Sequence, residues 1–304
     1  MKGIILAGGS GTRLYPLTQM VCKQLLPVYD KPMICYPLAS LMVMGIKEIL
    51  IISTPEDTPK IKEYLGSGEK LGINLSYAVQ KEPKGIAEAF LIGADFIGND
   101  AVTLILGDNI FYLGSQISTI RNKMKEAENA TIFGYHVKDP ERFGVIEFEA
   151  QSEKVKTLEE KPVNPRSNYA AVGLYCYPSG VVEKVKNLKP SARGELEITC
   201  LNNLYLAENK MNAIKLKRGT AWLDAGTPEA LIEAANYIGA IESRQGLKIA
   251  CLEEVAYWMN YISESELKVL VDALPQNSGY AQYLNKILEE IRQSDTSNEI
   301  RTIA

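Results

Sequence analysis

Four apolar residues, Ile4-Ile5-Leu6-Ala7, run straight into Gly8-Gly9-Ser10-Gly11-Thr12-Arg13, and few folds can use such a junction. The apolar run reads as a buried strand, and the glycines leave bare backbone N–H groups at its carboxyl end. Glycine permits close approach and positive φ, so successive amides can turn toward an anion such as a phosphate. Arg13 and Lys23 lie near enough in sequence to add fixed charge. A tight strand-to-helix turn needs the same glycines for geometry alone, and the loop by itself leaves both readings open. Its spacing lacks the Gly-Lys-Ser/Thr ending of a Walker loop, and the third glycine of the dinucleotide fingerprint would fall at Leu14.

Beyond the loop the chain alternates strand and helix. Met33 to Met44 reads as a buried helix, Glu48 to Ser53 as a strand, and a polar helix runs to about Leu65. Leu75 to Gln80 is a third strand, Ile86 to Ile97 carries the helical apolar period, and Val102 to Leu106 is a fourth strand. This order predicts an α/β fold with a mixed, mainly parallel sheet in three layers, Rossmann-like in outline, with right-handed crossovers. Ligands in such folds gather at the carboxyl ends of strands, where the glycine loop, Gln80 and Asp108 fall. From 130 onward strands follow one another through short turns (131–137, 143–149, 154–159, 168–177) and predict antiparallel, hairpin-like additions. The remainder reads as helices over 228–244, 263–273 and 280–292, ahead of a polar and loose last dozen residues. We divide the chain into 1–240, with a nucleotide-binding part to about 130 and a sugar-binding part over 131–228, and a helical extension over 241–304.

Asp108 directly follows an apolar strand, a position that suits Mg²⁺ coordination and loop capping equally. Asp224 precedes Ala225-Gly226-Thr227-Pro228, a helix start where a carboxylate can simply face the dipole. Glu160-Lys161 can be a solvated surface pair, and Arg193 to Thr199 a charged helix start. The single His136 excludes histidine triads and zinc sites among its own kind and reads as structural. Five scattered cysteines, 22, 35, 176, 200 and 251, suit a reducing compartment, each as a small buried residue.

The continuation of the loop carries a resemblance. Leu14-Tyr15-Pro16-Leu17-Thr18, Lys23-Gln24-Leu25-Leu26-Pro27-Val28, Leu106-Gly107-Asp108-Asn109, Glu160-Lys161-Pro162, Arg193-Gly194-Glu195-Leu196-Glu197-Ile198-Thr199 and Trp222-Leu223-Asp224-Ala225-Gly226-Thr227 stand in order along the chain. Together they resemble the motifs of the sugar-nucleotide pyrophosphorylases. The resemblance implies that a sugar 1-phosphate oxygen attacks the α-phosphorus of a nucleoside triphosphate and pyrophosphate leaves. It implies dTTP and glucose 1-phosphate as substrates, giving dTDP-glucose on the route to dTDP-rhamnose, with UTP as the competing nucleotide. Asp108 and Asp224 would hold Mg²⁺, and Arg13, Lys23 and Lys161 would act on phosphates with them. Gly8, Gly9, Gly11, Thr12, Arg13, Lys23, Gln24, Gln80 and Gly85 would bind the nucleotide, Gln24 and Gln80 reading the base. Asn109, Gly144, Glu160, Lys161, Val172, Arg193, Glu197, Thr199 and Trp222 would bind the sugar phosphate. The family also implies a homotetramer. Lys84 and Glu88 stand where its members carry Asp and Gln beside the base loop, and Phe111 to Ser115 and Trp258 depart from it in segments that form its regulatory nucleotide site.

The remaining bounds agree with an enzyme of small anions. With 304 residues and 46% hydrophobic composition the chain can bury a full core. A formal net charge of −4 offers no basic field, so nucleic acid is not an expected partner. No leader-like start or membrane-length apolar run is visible, which predicts a cytoplasmic protein. A nicotinamide oxidoreductase would need the third glycine and an acidic end to the second strand, where Ser53 stands. A catalytically silent sugar-nucleotide sensor is the remaining alternative, and Mg²⁺-dependent pyrophosphate release separates it from an enzyme.

Overall fold

The computed structural model describes residues 1–9, 11–125, 128–150 and 152–293. The expected loose end, from 294 on, lies outside the described residues, as does Ser10. The first half of the chain runs β1 (Lys2–Leu6), the two-residue strands β2 (Pro27–Val28) and β3 (Lys31–Pro32), α1 (Cys35–Val43), β4 (Glu48–Ser53) and α2 (Thr58–Leu65). Next come β5 (Asn74–Val79), α3 (Glu88–Ile92), α4 (Ala94–Ile97), β6 (Val102–Leu106), β7 (Asn109–Tyr112) and α5 (Ile117–Lys125). Then follow β8 (Ala130–His136), β9 (Gly144–Phe148), β10 (Val155–Glu160), β11 (Tyr169–Tyr177), α6 (Val181–Lys186) and α7 (Ile198–Ala207). The chain closes with β12 (Met211–Lys215), β13 (Ala221–Asp224), α8 (Pro228–Gln245), α9 (Leu252–Trp258), α10 (Glu264–Asp272) and α11 (Gly279–Gln293).

Strands β6, β1, β4 and β5 lie side by side and parallel, the arrangement that the strand-helix alternation dictates. Register shows why they are apolar throughout. Ile4 lies opposite Leu50 and Leu104, and Ile5 opposite Ile51 and Ile105, so successive residues supply opposite faces. Ile4, Leu50 and Leu104 belong to one apolar cluster with Phe90, Val181 and Leu201, while Ile5, Ile51 and Ile105 belong to another with Leu38, Leu41 and Val255. A sheet buried on both faces between helices is the three-layer architecture that the sequence predicts.

Three differences from expectation have physical causes. The helix predicted over 86–97 is two short helices, α3 and α4, because Gly93 leaves the helical conformation, at φ −87° and ψ 11°, where it packs on Leu50 and Ile4 of the sheet. Strands β8 and β9 do not form a hairpin. β11 lies between them and pairs antiparallel with both, so that among the described strands only β9 and β10 are hairpin neighbours in this lobe. β12, unexpected from the sequence, joins β8 in parallel and makes the lobe mixed.

The C-terminal helices are continuous with the core. All nine residues of α1 are buried, which an amphipathic helix on a sheet would not show; a helix apolar all round needs cover on its other side as well. Val255, Ala256, Leu267 and Leu284 supply that cover from α9, α10 and α11, and the Tyr261 hydroxyl donates to the Met42 carbonyl at 2.9 Å. Near the end of α8, buried Glu242 accepts from Lys31 at 3.3 Å and from the Ile249 N–H at 2.9 Å. Asp30, in the turn between β2 and β3, accepts from Lys31 and Lys248. Among the described residues no helix is long and apolar enough to cross a membrane.

Candidate active site

The glycine loop, Gln80 and Asp108 lie just past the carboxyl ends of the parallel strands β1, β5 and β6. Asp224 reaches the same place by a device that the sequence does not announce. Strands β7 and β13 form a two-stranded antiparallel ribbon beside the main sheet, in which Asp224 lies opposite Asn109. The Ala225 N–H donates to the Asp108 carbonyl at 3.1 Å, fixing the register at the point where the two carboxylates meet.

Each carboxylate has a cation at hand. Lys23 donates to the Asp108 carboxylate, which also accepts from the Asn109 amide at 2.9 Å. Burial raises the Asp108 pKa, but the Lys23 charge and these hydrogen bonds outweigh it and hold the carboxyl below the ordinary value. Asp224 is pushed the other way, by burial and by the charge of Asp108, in spite of Arg13, Lys23 and Arg142 nearby. Arg13 lies on the other side of Gly226 from it, close enough to act through its charge: a Cβ at Gly226 would be 2.9 Å from both the Arg13 guanidinium and the Asp224 carboxylate. The pair supplies hard oxygen ligands, which fits a divalent cation that takes its remaining ligands from phosphates and water. Among the described residues no cluster of three or more His, Cys, Asp or Glu side chains adds to them.

Two cavities flank this centre. The first, of about 430 Å³, is lined by Gly9, Gly11, Lys23 and Gln80 together with the turn after β4. The second, of about 240 Å³, holds Arg13, Asp108 and Asp224 on one side. Asn109, Gly144, Glu160 and Lys161 face them, and Glu197, Thr199 and Trp222 complete the wall. Lys23 borders the first cavity and grips the aspartate of the second, so it stands at their junction. The second cavity is held by a hydrogen-bond frame. Asn109 Oδ1 accepts from Trp222 Nε1 at 2.6 Å and from the Gly173 N–H at 3.1 Å, and Thr199 donates to Glu160 at 2.6 Å. The register of β11 against β8 shifts between Ala171 and Tyr175, and that irregularity turns the Gly173 amide toward Asn109. Lys161 holds φ at 44°, a left-handed conformation uncommon for a non-glycine residue, at the mouth of this cavity.

Six expected site residues border neither cavity. Gly8 packs under Gln80, whose Oε1 is 2.6 Å from where a Cβ would sit. Thr12 opens a short 3₁₀ turn on the exposed side. Gln24 is buried against Gly107, away from either opening. Gly85, at φ 99°, lies against Leu196, whose N–H donates to the Lys84 carbonyl and whose carbonyl accepts from the Ala87 N–H. Val172 faces the core, because alternation along β11 gives Ala171 and Gly173 to the cavity. Arg193 stands at the rim, donating to Glu197 at 2.8 Å.

Other residues enter that the sequence reading missed. Arg142 lines the second cavity while paired with Asp139 at 2.8 Å, and Glu88 accepts from the Gln80 amide at 2.7 Å. Arg142 falls in a segment that reads only as a turn, and Glu88 signals itself only as a departure from the family pattern. Cys200 is exposed, unlike the buried residue expected, because it falls on the outer side of α7. Cys22, though next to Lys23, is buried enough for its thiol pKa to rise to about 11.

A family model described as nucleotidyl transferase matches residues 2–240. The chain belongs to that family. It is 53% identical over 290 residues to a glucose-1-phosphate thymidylyltransferase of Neisseria meningitidis, covering 95% of this chain and 100% of that one. A Mycobacterium tuberculosis protein of the same name is 51% identical over 289 residues, covering 95% and 99%. Among solved structures, a chain described as a glucose-1-phosphate thymidylyltransferase of Bacillus anthracis, with sucrose, matches with a TM-score of 0.72 and 43% identity over 78% of this chain and 94% of that one. A UDP-glucose pyrophosphorylase bound to UDP-glucose matches with a TM-score of 0.71 and 26% identity over 80% and 99%. Membership in this family removes the nicotinamide oxidoreductase reading.

Proposed function

We propose that the protein transfers a thymidylyl group from dTTP to α-D-glucose 1-phosphate, giving dTDP-glucose and pyrophosphate. The observation that carries this reading is the pair of cavities meeting at Lys23 and Asp108, in a chain whose thymidylyltransferase relatives match it over 93% or more of its length.

The two reactants are both anions, so the chain's work is to bring them together and offset their charge. The glycine loop and Lys23 receive the triphosphate, while Gln80 faces the base. Lys161 and Arg193, at the mouth of the second cavity, meet the sugar phosphate, and Glu160, Glu197, Asn109 and Thr199 accept from or donate to sugar hydroxyls. In the free protein Lys23 rests against Asp108 and Arg13 lies near Asp224 without pairing to it; an arriving phosphate takes over these cations and leaves both carboxylates facing it. Mg²⁺ held there by Asp108 and Asp224 would supply further charge neutralisation on the phosphates. The sugar phosphate oxygen then attacks the α-phosphorus in line, and Arg13 and Lys23 offset charge on the departing pyrophosphate.

That the nucleotidyltransferase part ends at 240, where the family match ends, although the helices beyond it share its core, that 241–304 serves assembly, a homotetramer and a cytoplasmic location belong to the same proposal. Pyrophosphate release with glucose 1-phosphate, Mg²⁺ and either dTTP or UTP tests it. Faster release with dTTP is expected; equal or faster release with UTP would assign the protein to uridylyl transfer, and no release with either would leave a binding protein.

A further inference from the structure

The amide of Gln80 sits between two fixed neighbours. Its Nε2 donates to Glu88 Oε2 at 2.7 Å, and its Oε1 lies over Gly8, 2.6 Å from where any side chain at that position would begin. Gln80 is buried and lines the first cavity, whereas Glu88, at the start of α3, lies behind it and borders neither cavity. An acidic residue in the first turn of a helix is favourable on electrostatic grounds alone, and that would account for Glu88 without reference to any ligand. It would not account for the partner. A primary amide can present its oxygen or its nitrogen to a neighbour that both donates and accepts, but a carboxylate only accepts, so only the nitrogen can face Glu88.

We propose that Glu88 is a positioning residue that locks the Gln80 amide in one of its two orientations and so selects the imide pyrimidines, thymine and uracil, over cytosine. This rests on the reading of the first cavity as the nucleotide site. With one Nε2 hydrogen committed to Glu88, the amide edge left for a base is one acceptor, Oε1, beside one donor, the second Nε2 hydrogen. An imide edge offers the complementary order, N3–H beside O4. Cytosine offers the reverse, an N3 lone pair beside an N4 amine, which would set acceptor against acceptor and donor against donor. Left free, the Gln80 amide could turn over and accept cytosine; held by Glu88, it cannot. Mispaired polar groups in a buried site cost far more than a missing contact, so the lock gives discrimination from a residue that touches no ligand. Thymine and uracil share the imide edge, so Glu88 does not separate dTTP from UTP.

Calorimetric titration of dTTP, UTP and dCTP, without sugar phosphate so that nothing turns over, compares the wild type with Glu88→Gln, Glu88→Ala and Gln80→Ala. Glutamine at 88 can donate or accept and releases the lock. The expected result is a preference for dTTP over dCTP that falls about tenfold in Glu88→Gln and Glu88→Ala, with an unchanged dTTP-to-UTP ratio. A merely structural role would weaken all three nucleotides together, and that outcome overturns the proposal. An unchanged dTTP-to-dCTP ratio in both Glu88 variants, with the ratio lost in Gln80→Ala, overturns the role of Glu88 while leaving Gln80 as the base reader. A ratio unchanged in Gln80→Ala, or no nucleotide binding to the wild type, overturns the reading on which the lock depends.

Discussion

At the scale of single residues, the site is a set of charges held in check by one another. Asp108 is kept ionised against its burial by Lys23 and Asn109, and Asp224 carries the repulsion of Asp108. Replacing Asp108 by Asn removes a hard ligand and frees Lys23, without emptying either cavity. Turnover of Asp108→Asn is expected to fall by about three orders of magnitude, equivalent to about 4 kcal/mol of barrier, while calorimetric affinity for dTTP stays within about tenfold. Unchanged turnover would remove Asp108 from the chemistry. The charged members of this set are legible in the sequence, since Arg13, Lys23, Asp108, Lys161 and Asp224 all stand in motifs next to strand ends or glycine turns. Direction is not legible there. Gln24, in the same motif as Lys23, and Val172, on β11, are expected at the site but point elsewhere, because strand alternation and burial are decided by partners the local sequence does not contain.

At the scale of elements, the parallel strands are readable because a strand buried on both faces must be apolar throughout, as Ile4 to Leu6, Ile49 to Ile52 and Leu104 to Leu106 are. The β7–β13 ribbon is not, since four residues on each side leave no period to detect. The turn between β2 and β3 is joined to the end of α8 in a comparable long-range way, through Asp30, Lys31, Glu242 and Lys248. Burial raises the Asp30 pKa, but Lys248 and Lys31 outweigh it and the folded value lies below the ordinary one. A carboxyl depressed on folding contributes its stability above its unfolded pKa, about 3.9, and loses it as pH falls through the folded value. Asp30→Asn is therefore expected to cost about 2 kcal/mol at pH 7, and the gap between wild type and variant should close as pH drops below about 4. Urea unfolding at the two pH values measures both; a gap that persists in acid would show that the ion pairs are not its source.

At the scale of the whole molecule, the segment after 240 reads in sequence as an appendage, yet it shares a core with the opening strand. Helix α1 is enclosed between the sheet on one side and α9 to α11 on the other. A chain ending at residue 240 is expected to expose that enclosed face, bind an apolar dye and lose a single sharp thermal transition; cooperative unfolding at an unchanged midpoint would instead establish 1–240 as a unit. The order of the chain has a further consequence during synthesis. The glycine loop, Lys23 and Asp108 all leave the ribosome early, whereas the strand that brings Asp224 against Asn109 emerges after most of the fold has been made. The two carboxylates therefore stand together only once most of the chain has been made and the ribbon has zipped.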